Sequence, residues 1–240
     1  MDFYLLSVVI ITSAIQSLFG VGVLLFGTPL LLILNYNFFD TLMILLPISI
    51  TISFLQLTDG YKYINYNIYK NILLFSTPMI IIFIFFIYEI NLNIITPIGI
   101  LLILISLKNN ISFIRNIFNN ILNFNKSFYL LMGVIHGMTN LGGSLLSAKV
   151  FHTSLNKNEK RSTIAISYIT FALFQIITIY FIDNSYKYTY FNLFYIITGL
   201  LTYRLMNKIV FNKIYENQYD KLFSFFLFLS GIILINKGIS

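Results

Sequence analysis

Long apolar runs separated by short polar stretches dominate the chain, at a spacing that predicts membrane-length helices. From Phe3 to Phe39 no Asp, Glu, Lys or Arg interrupts the sequence. A bilayer core ~30 Å thick takes roughly 20 apolar residues per helical crossing. Eight windows approach that length: Tyr4–Leu34, Thr41–Leu57, Asn71–Tyr88, Leu92–Leu107, Phe128–Val150, Thr163–Ile182, Thr189–Met206 and Leu222–Ile235. The expected fold is an all-α polytopic membrane protein, with residues 1–240 forming a single transmembrane domain. The Met1-Asp2 start carries no basic stretch and the first apolar run is long, so no cleavable signal peptide is expected.

The pattern repeats. At an offset of 120, SAIQSLFGVGVLLFG lies over GVIHGMTNLGGSLLS, which pairs Gln16 with His136, Gly20 with Asn140 and Gly22 with Gly142. At 119, ISITISFLQ lies over SYITFALFQ, pairing Thr51 with Thr170 and Gln56 with Gln175. Gly99-Ile100 and Gly231-Ile232 occur in the last segment of each half. These matches keep their order, so two four-segment repeats are expected: 1–108 and 128–240, joined by an Asn-rich linker at 109–127. Internal repeats are common in transporters.

Charge decides how the repeats sit. If all eight segments cross, Lys62, Lys70, Lys108, Arg115, Lys126, Lys187 and Lys237 share one side and the other 8 of the 15 basic residues share the opposite side. That near-balance conflicts with the excess of Lys and Arg normally found on the cytoplasmic side. If each glycine-rich first segment is instead broken and re-entrant, only Lys187 and Lys237 lie outside, leaving 13 of 15 inside. The two halves then become inverted repeats of three crossings each. Glycine permits the tight turn, and broken helices are tolerated where they line a cavity. The count strictly requires only the second segment to return; the first follows by symmetry. Eight plain crossings with a weak charge bias is the alternative.

Composition narrows the chemistry. Hydrophobic residues make up 58% and charged residues 10%, against roughly a quarter charged in soluble domains. The net charge of +7 sits in loops, where topology explains it better than nucleic-acid binding does. With no cysteine, disulfides and thiolate metal sites are excluded, and no cofactor or metal is expected. Asp2, Asp40, Asp59, Glu89, Glu159, Asp183, Glu216 and Asp220 all fall at segment ends or in loops. A cation carrier needs acidic ligands at mid-depth; a small anionic substrate does not. Helix N-termini at two breaks would offer partly positive amides to an anion. The candidate binding set is Gln16, Gly20, Gly22, Thr51, His136, Asn140, Gly142, Gly143, Ser144 and Lys149. Simpler roles compete: glycines for close helix packing, His136 for an interhelical hydrogen bond, and Lys149 for snorkelling to the interface.

Two stretches carry a family resemblance. IQSLFGVGVLLFGTPLL resembles the Q-S-x-x-G-x-G…P-L opening of the TauE/SafE sulfite exporters, through Gln16, Ser17, Gly20, Gly22 and Pro29. GVIHGMTNLGGSLLSAKVFHTSLNKNEKRSTIA is similar to that family's second motif, through Gly133, Gly137, Gly142, Gly143, Arg161 and Thr163. Ser144 stands where the family often has proline. The resemblance implies a multi-pass transporter of small anions, often sulfur-containing, in a bacterial inner membrane. Two other functions compete: a non-transporting assembly subunit, and an intramembrane serine hydrolase built on Ser144 with His136 or His152. Eight residues separate Ser144 from His136, ~12 Å along a straight helix, whereas a general base must lie within ~3 Å.

Overall fold

The computed structural model describes residues 2–58, 60–90, 93–107, 111–123, 125–151, 153–183, 185–186, 190–210 and 216–239. Asp59, Lys108, His152, Lys187 and Lys213 lie outside the described residues. Among the described residues all regular structure is helical. The first half contains α1 (Phe3–Phe19), α2 (Val23–Ile33), α3 (Phe38–Thr58), α4 (Tyr66–Asn71), α5 (Thr77–Ile90) and α6 (Ile95–Leu107). A surface helix, α7 (Ser112–Asn123), leads to α8 (Asn125–Thr139), α9 (Gly142–Phe151), α10 (Lys157–Ile182), α11 (Tyr190–Val210) and α12 (Glu216–Ile239).

Local chemistry sets several of these boundaries. Asp2 caps α1 by accepting from the Tyr4 amide at 2.9 Å. A reciprocal capping box between Asn156 and Glu159 starts α10. Between α4 and α5 the helix widens into a π-turn at Ile72–Ser76, just before Pro78, whose ring and missing N–H disturb the regular ladder. Counting that turn, Tyr66–Ile90 is one 25-residue crossing-length helix, as are Phe38–Thr58 (21 residues) and Asn158–Ile182 (25 residues). By contrast α2 has 11 residues and α9 has 10, about 15 Å each, half of a bilayer core.

Helices pack in matching pairs. α1 lies on α11 and α8 on α5; α2 lies on α3 and α9 on α10; α3 packs on α10 and α6 on α12. At the last contact the two glycines aligned in sequence meet: a methyl group built on Gly99 would come 2.8 Å from the Gly231 carbonyl oxygen, and one on Gly231 2.7 Å from that of Gly99. Gly133 and Gly137 perform the same service for α8. A methyl group there would strike the Ser76 carbonyl at 2.4 Å and the Ile80 carbonyl at 2.8 Å, the close backbone approach that small residues allow between membrane helices.

Polarity is arranged for lipid. Phe54, Ile82, Phe85, Phe181, Leu205 and Ile209 are exposed on the outside of the bundle, while Ser13, Gln16, Ser53, His136 and Gln175 are fully buried. Every such buried group needs a partner or a function. Within the Asn-rich linker lies the helix α7, in which Phe113 and Ile117, both exposed, recur at i, i+4 on one side among the asparagines.

Candidate functional site at two helix breaks

Both glycine-rich segments break at the same relative position. α1 ends at Gly20 in the left-handed region (φ 74°), and α8 ends at its aligned partner Asn140 (φ 61°). Each closing residue donates its amide back four residues, Gly20 to the Gln16 carbonyl at 2.9 Å and Asn140 to the His136 carbonyl at 2.8 Å. Gly has no Cβ penalty in this conformation, and Asn tolerates it better than most residues do.

After each break the chain folds back along the helix it has just left. A methyl group at Gly22 would fall 2.4 Å from the Gln16 nitrogen and 2.6 Å from the Thr12 carbonyl oxygen. At Gly142 it would fall 2.4 Å from His136 Cβ and 2.8 Å from the Met132 carbonyl oxygen. These contacts reach six and ten residues back, which a continuing helix cannot do. The open ends of each pair also meet. Tyr36, just past α2, donates to the Asp2 carboxylate at the head of α1. Lys149 in the last turn of α9 lies 5.3 Å from the ring centroid of Phe128 near the head of α8. Each segment is therefore a helical hairpin.

The interiors of the two hairpins differ. In the first, the Gln16 side chain accepts from the Val23 amide at 2.9 Å and so caps α2. Its own amide reaches Ser53 Oγ at 3.4 Å, and Gln56 donates to the Gln16 carbonyl at 3.4 Å. In the second, His136 occupies the aligned position, fully buried, with its ring 4.6 Å from that of Phe171. Neither of its ring nitrogens makes a hydrogen bond. Asn140 instead donates to Thr28 Oγ1 of the first hairpin at 2.8 Å and accepts from Gln175 at 3.3 Å.

The candidate residues do not converge on one point. Gly20 lies beside the Arg161 side chain, 3.9 Å from its Cγ to a built methyl group, whereas Asn140 sits beside Gln175. Both neighbours are on α10, 14 positions apart, so the two breaks face that helix at different levels. The hairpins overlap lengthwise, with Asn140 at Thr28 rather than at Gly20 or Gly22. Thr51 faces elsewhere: its hydroxyl bonds its own helix at Pro47 and Ile48, and it lines an apolar groove with Ile176 and Asn192. Ser144 donates to the Leu141 carbonyl at 2.7 Å, and no Ser144–His136 hydrogen bond forms. Lys149 stays at the open end of its hairpin, far from the break.

Sequence reading missed Thr28 and Tyr168. Thr28 sits in the quoted Gly27-Thr28-Pro29 stretch, a signal that was present. Tyr168 is one of 17 tyrosines and aligns with Ser49, so nothing in the sequence marks it. In the fold a methyl group on Gly143 would land 1.6 Å from the Tyr168 hydroxyl oxygen, which places that hydroxyl against the first turn of α9. Among the described residues no Asp or Glu is buried. Arg161 is tied to Asn207 at 3.0 Å and to Tyr203.

Comparison with known proteins bears on this arrangement directly. The family model of the sulfite exporter TauE/SafE matches residues 5–234. Comparison with curated proteins and with solved structures gives no match. The chain belongs to the sulfite exporter TauE/SafE family.

Proposed function

From that membership we propose that this multi-pass membrane protein is a secondary transporter of small anions, with sulfur oxyanions such as sulfite, thiosulfate or small sulfonates as substrates. The carrying observation is the buried polar set at the two helix breaks, in which Gln16, Thr28, Asn140 and Gln175 are all neutral. Neutral donors and helix N-termini can shed the hydration of an anion without holding it irreversibly. Carboxylates at that depth would repel it. The binding site lies within the glycine-rich hairpins, framed by Asn140, Gly142, Gly143 and Ser144. The halves are read as inverted repeats with the termini outside, which keeps most basic loops on the cytoplasmic side of a bacterial inner membrane.

Purified protein in proteoliposomes, loaded with labelled sulfite, thiosulfate, sulfate or methanesulfonate, tests this. Saturable flux of at least one anion is expected in the wild type. Asn140→Ala should lower it at least tenfold, since it removes both the Thr28 and Gln175 contacts. Retained flux in Asn140→Ala and Gln16→Ala would move the site elsewhere.

A further inference from the structure

The two hairpin breaks are alike in backbone and unlike in what closes them. The amide that opens α2 is already satisfied by Gln16. At α9 no side chain among the described residues accepts from the Gly142 or Gly143 amide. Beside that second break stands the Tyr168 hydroxyl, buried and without a hydrogen-bond partner, while the ring nitrogens of His136 face the Gln175 side chain. Tyr168 is 1% exposed and His136 is 0% exposed. Buried polar groups in native proteins are nearly always paired, so the Tyr168 hydroxyl marks a place where a partner is missing.

The groups around the second break are held by one helix. Tyr168, Phe171 and Gln175 recur at i, i+3 and i+7 along α10, forming a single stripe. Tyr168 meets α9 at Gly143, Phe171 stacks on His136, and Gln175 holds Asn140. Cations keep their distance. Arg161 is two helical turns before Tyr168, and Lys149 is six residues beyond Gly143, each about 10 Å away along its helix. The opening thus presents neutral donors and one helix N-terminus, equivalent to roughly half a positive charge.

We propose that the anion is bound at the second break, at the N-terminus of α9, with Tyr168 as the side chain that recognises it, and that the site takes a singly charged oxyanion such as a sulfonate. This rests on the transporter reading above and narrows it. Two oxygens of the ligand accept from the α9 amides while a third accepts from the Tyr168 hydroxyl. Half a charge and neutral dipoles compensate a monoanion tolerably and a dianion poorly. The first hairpin, closed by Gln16, serves as the scaffold against which the second is held.

The test compares wild type with Tyr168→Phe, which removes only the hydroxyl, and with Ser49→Ala at the aligned position of the first half. Thermal stability of the purified protein and proteoliposome flux are each followed against methanesulfonate and sulfate. Wild type should be stabilised and should carry flux at lower methanesulfonate than sulfate concentrations. Tyr168→Phe should keep or raise its unliganded Tm, since an unpaired buried hydroxyl has been removed, while its half-saturating methanesulfonate concentration rises at least tenfold. Ser49→Ala should leave that concentration unchanged. Equal half-saturation in Tyr168→Phe and wild type, or preference for sulfate, overturns this inference and leaves the transporter reading standing. Absence of any anion flux in the folded wild type overturns both.

Discussion

The first hairpin, α1–α2, and the second, α8–α9, begin from aligned sequence and reach opposite solutions to one problem. Breaking a buried helix exposes amides that must find acceptors. Gln16 supplies one in the first hairpin, and Ser53 and Gln56 brace it in turn. His136, at the aligned position, supplies none, and the Tyr168 hydroxyl beside α9 has no partner. A repeated fold can therefore close one break with a side chain and leave the other for a ligand. His136 in place of Gln16 and Tyr168 in place of Ser49 separate the two.

Substitutions at the glycines of the breaks should have the largest effect. Gly22→Ala and Gly142→Ala each place a methyl group within 2.4 Å of atoms of the preceding helix, backbone nitrogen in the first case and His136 Cβ in the second. Overpacking against a wall that cannot yield costs about 1–3 kcal/mol and sometimes more. Both variants should lose folded protein in detergent, measured by monodisperse yield, and wild-type yield from either would break the hairpin geometry.

Exchanging the side chains that distinguish the hairpins is the sharper comparison. Gln16→Ala removes the cap of α2 and should cost about 1 kcal/mol, in the range of lost helix caps, read as a lowered Tm. His136→Gln places the first hairpin's closing residue in the second. It should raise Tm and depress anion flux together, because a group that satisfies the α9 amides also competes with the ligand. A variant with unchanged Tm and unchanged flux would show that the two openings do not differ as described.

Smaller effects concern the outer ends. Lys237 Nζ reaches the last carbonyls of α2, Leu32 at 2.8 Å and Ile33 at 3.1 Å. Lys237→Met should lower Tm by the equivalent of about 0.5–1 kcal/mol, the usual scale for a cation at a helix C-terminus. The Tyr36 hydroxyl holds the Asp2 carboxyl below its ordinary value of 3.8. That tie contributes its full stability above the ordinary value and loses it as pH falls through the lowered one. The wild-type advantage over Tyr36→Phe in thermal melts should therefore be present at neutral pH and vanish in strong acid. A constant difference would show that the carboxylate is not the partner.

Much of this was legible in the residues. The sequence marked both glycine-rich segments as broken, and the structure breaks them at the aligned Gly20 and Asn140, where a left-handed residue ends α1 and α8. The Gly-Ile pairs shared by the last segments, Gly99-Ile100 and Gly231-Ile232, fall where α6 and α12 approach closely, with no room for a methyl group on either glycine. What stayed hidden is three-dimensional. A hairpin can turn at any depth, so sequence placed the two breaks at one centre, whereas they face α10 at different levels, one beside Arg161 and the other beside Gln175. Thr51 and the aligned Thr170 both satisfy their own helices, because a threonine hydroxyl has the carbonyl four residues back within reach. Tyr168 was invisible for the opposite reason: its hydroxyl gains meaning only from Gly143, which lies 25 positions away in sequence.

Anion flux through the second hairpin is the claim on which the account turns, and counterflow of labelled methanesulfonate in proteoliposomes tests it most directly. The wild type should exchange the label saturably, Gln16→Ala should keep the half-saturating concentration once its lower stability is allowed for, and Tyr168→Phe should raise it at least tenfold. Saturable exchange with the same half-saturation in all three proteins would contradict the assignment of the site, and no exchange by the folded wild type would contradict the account as a whole.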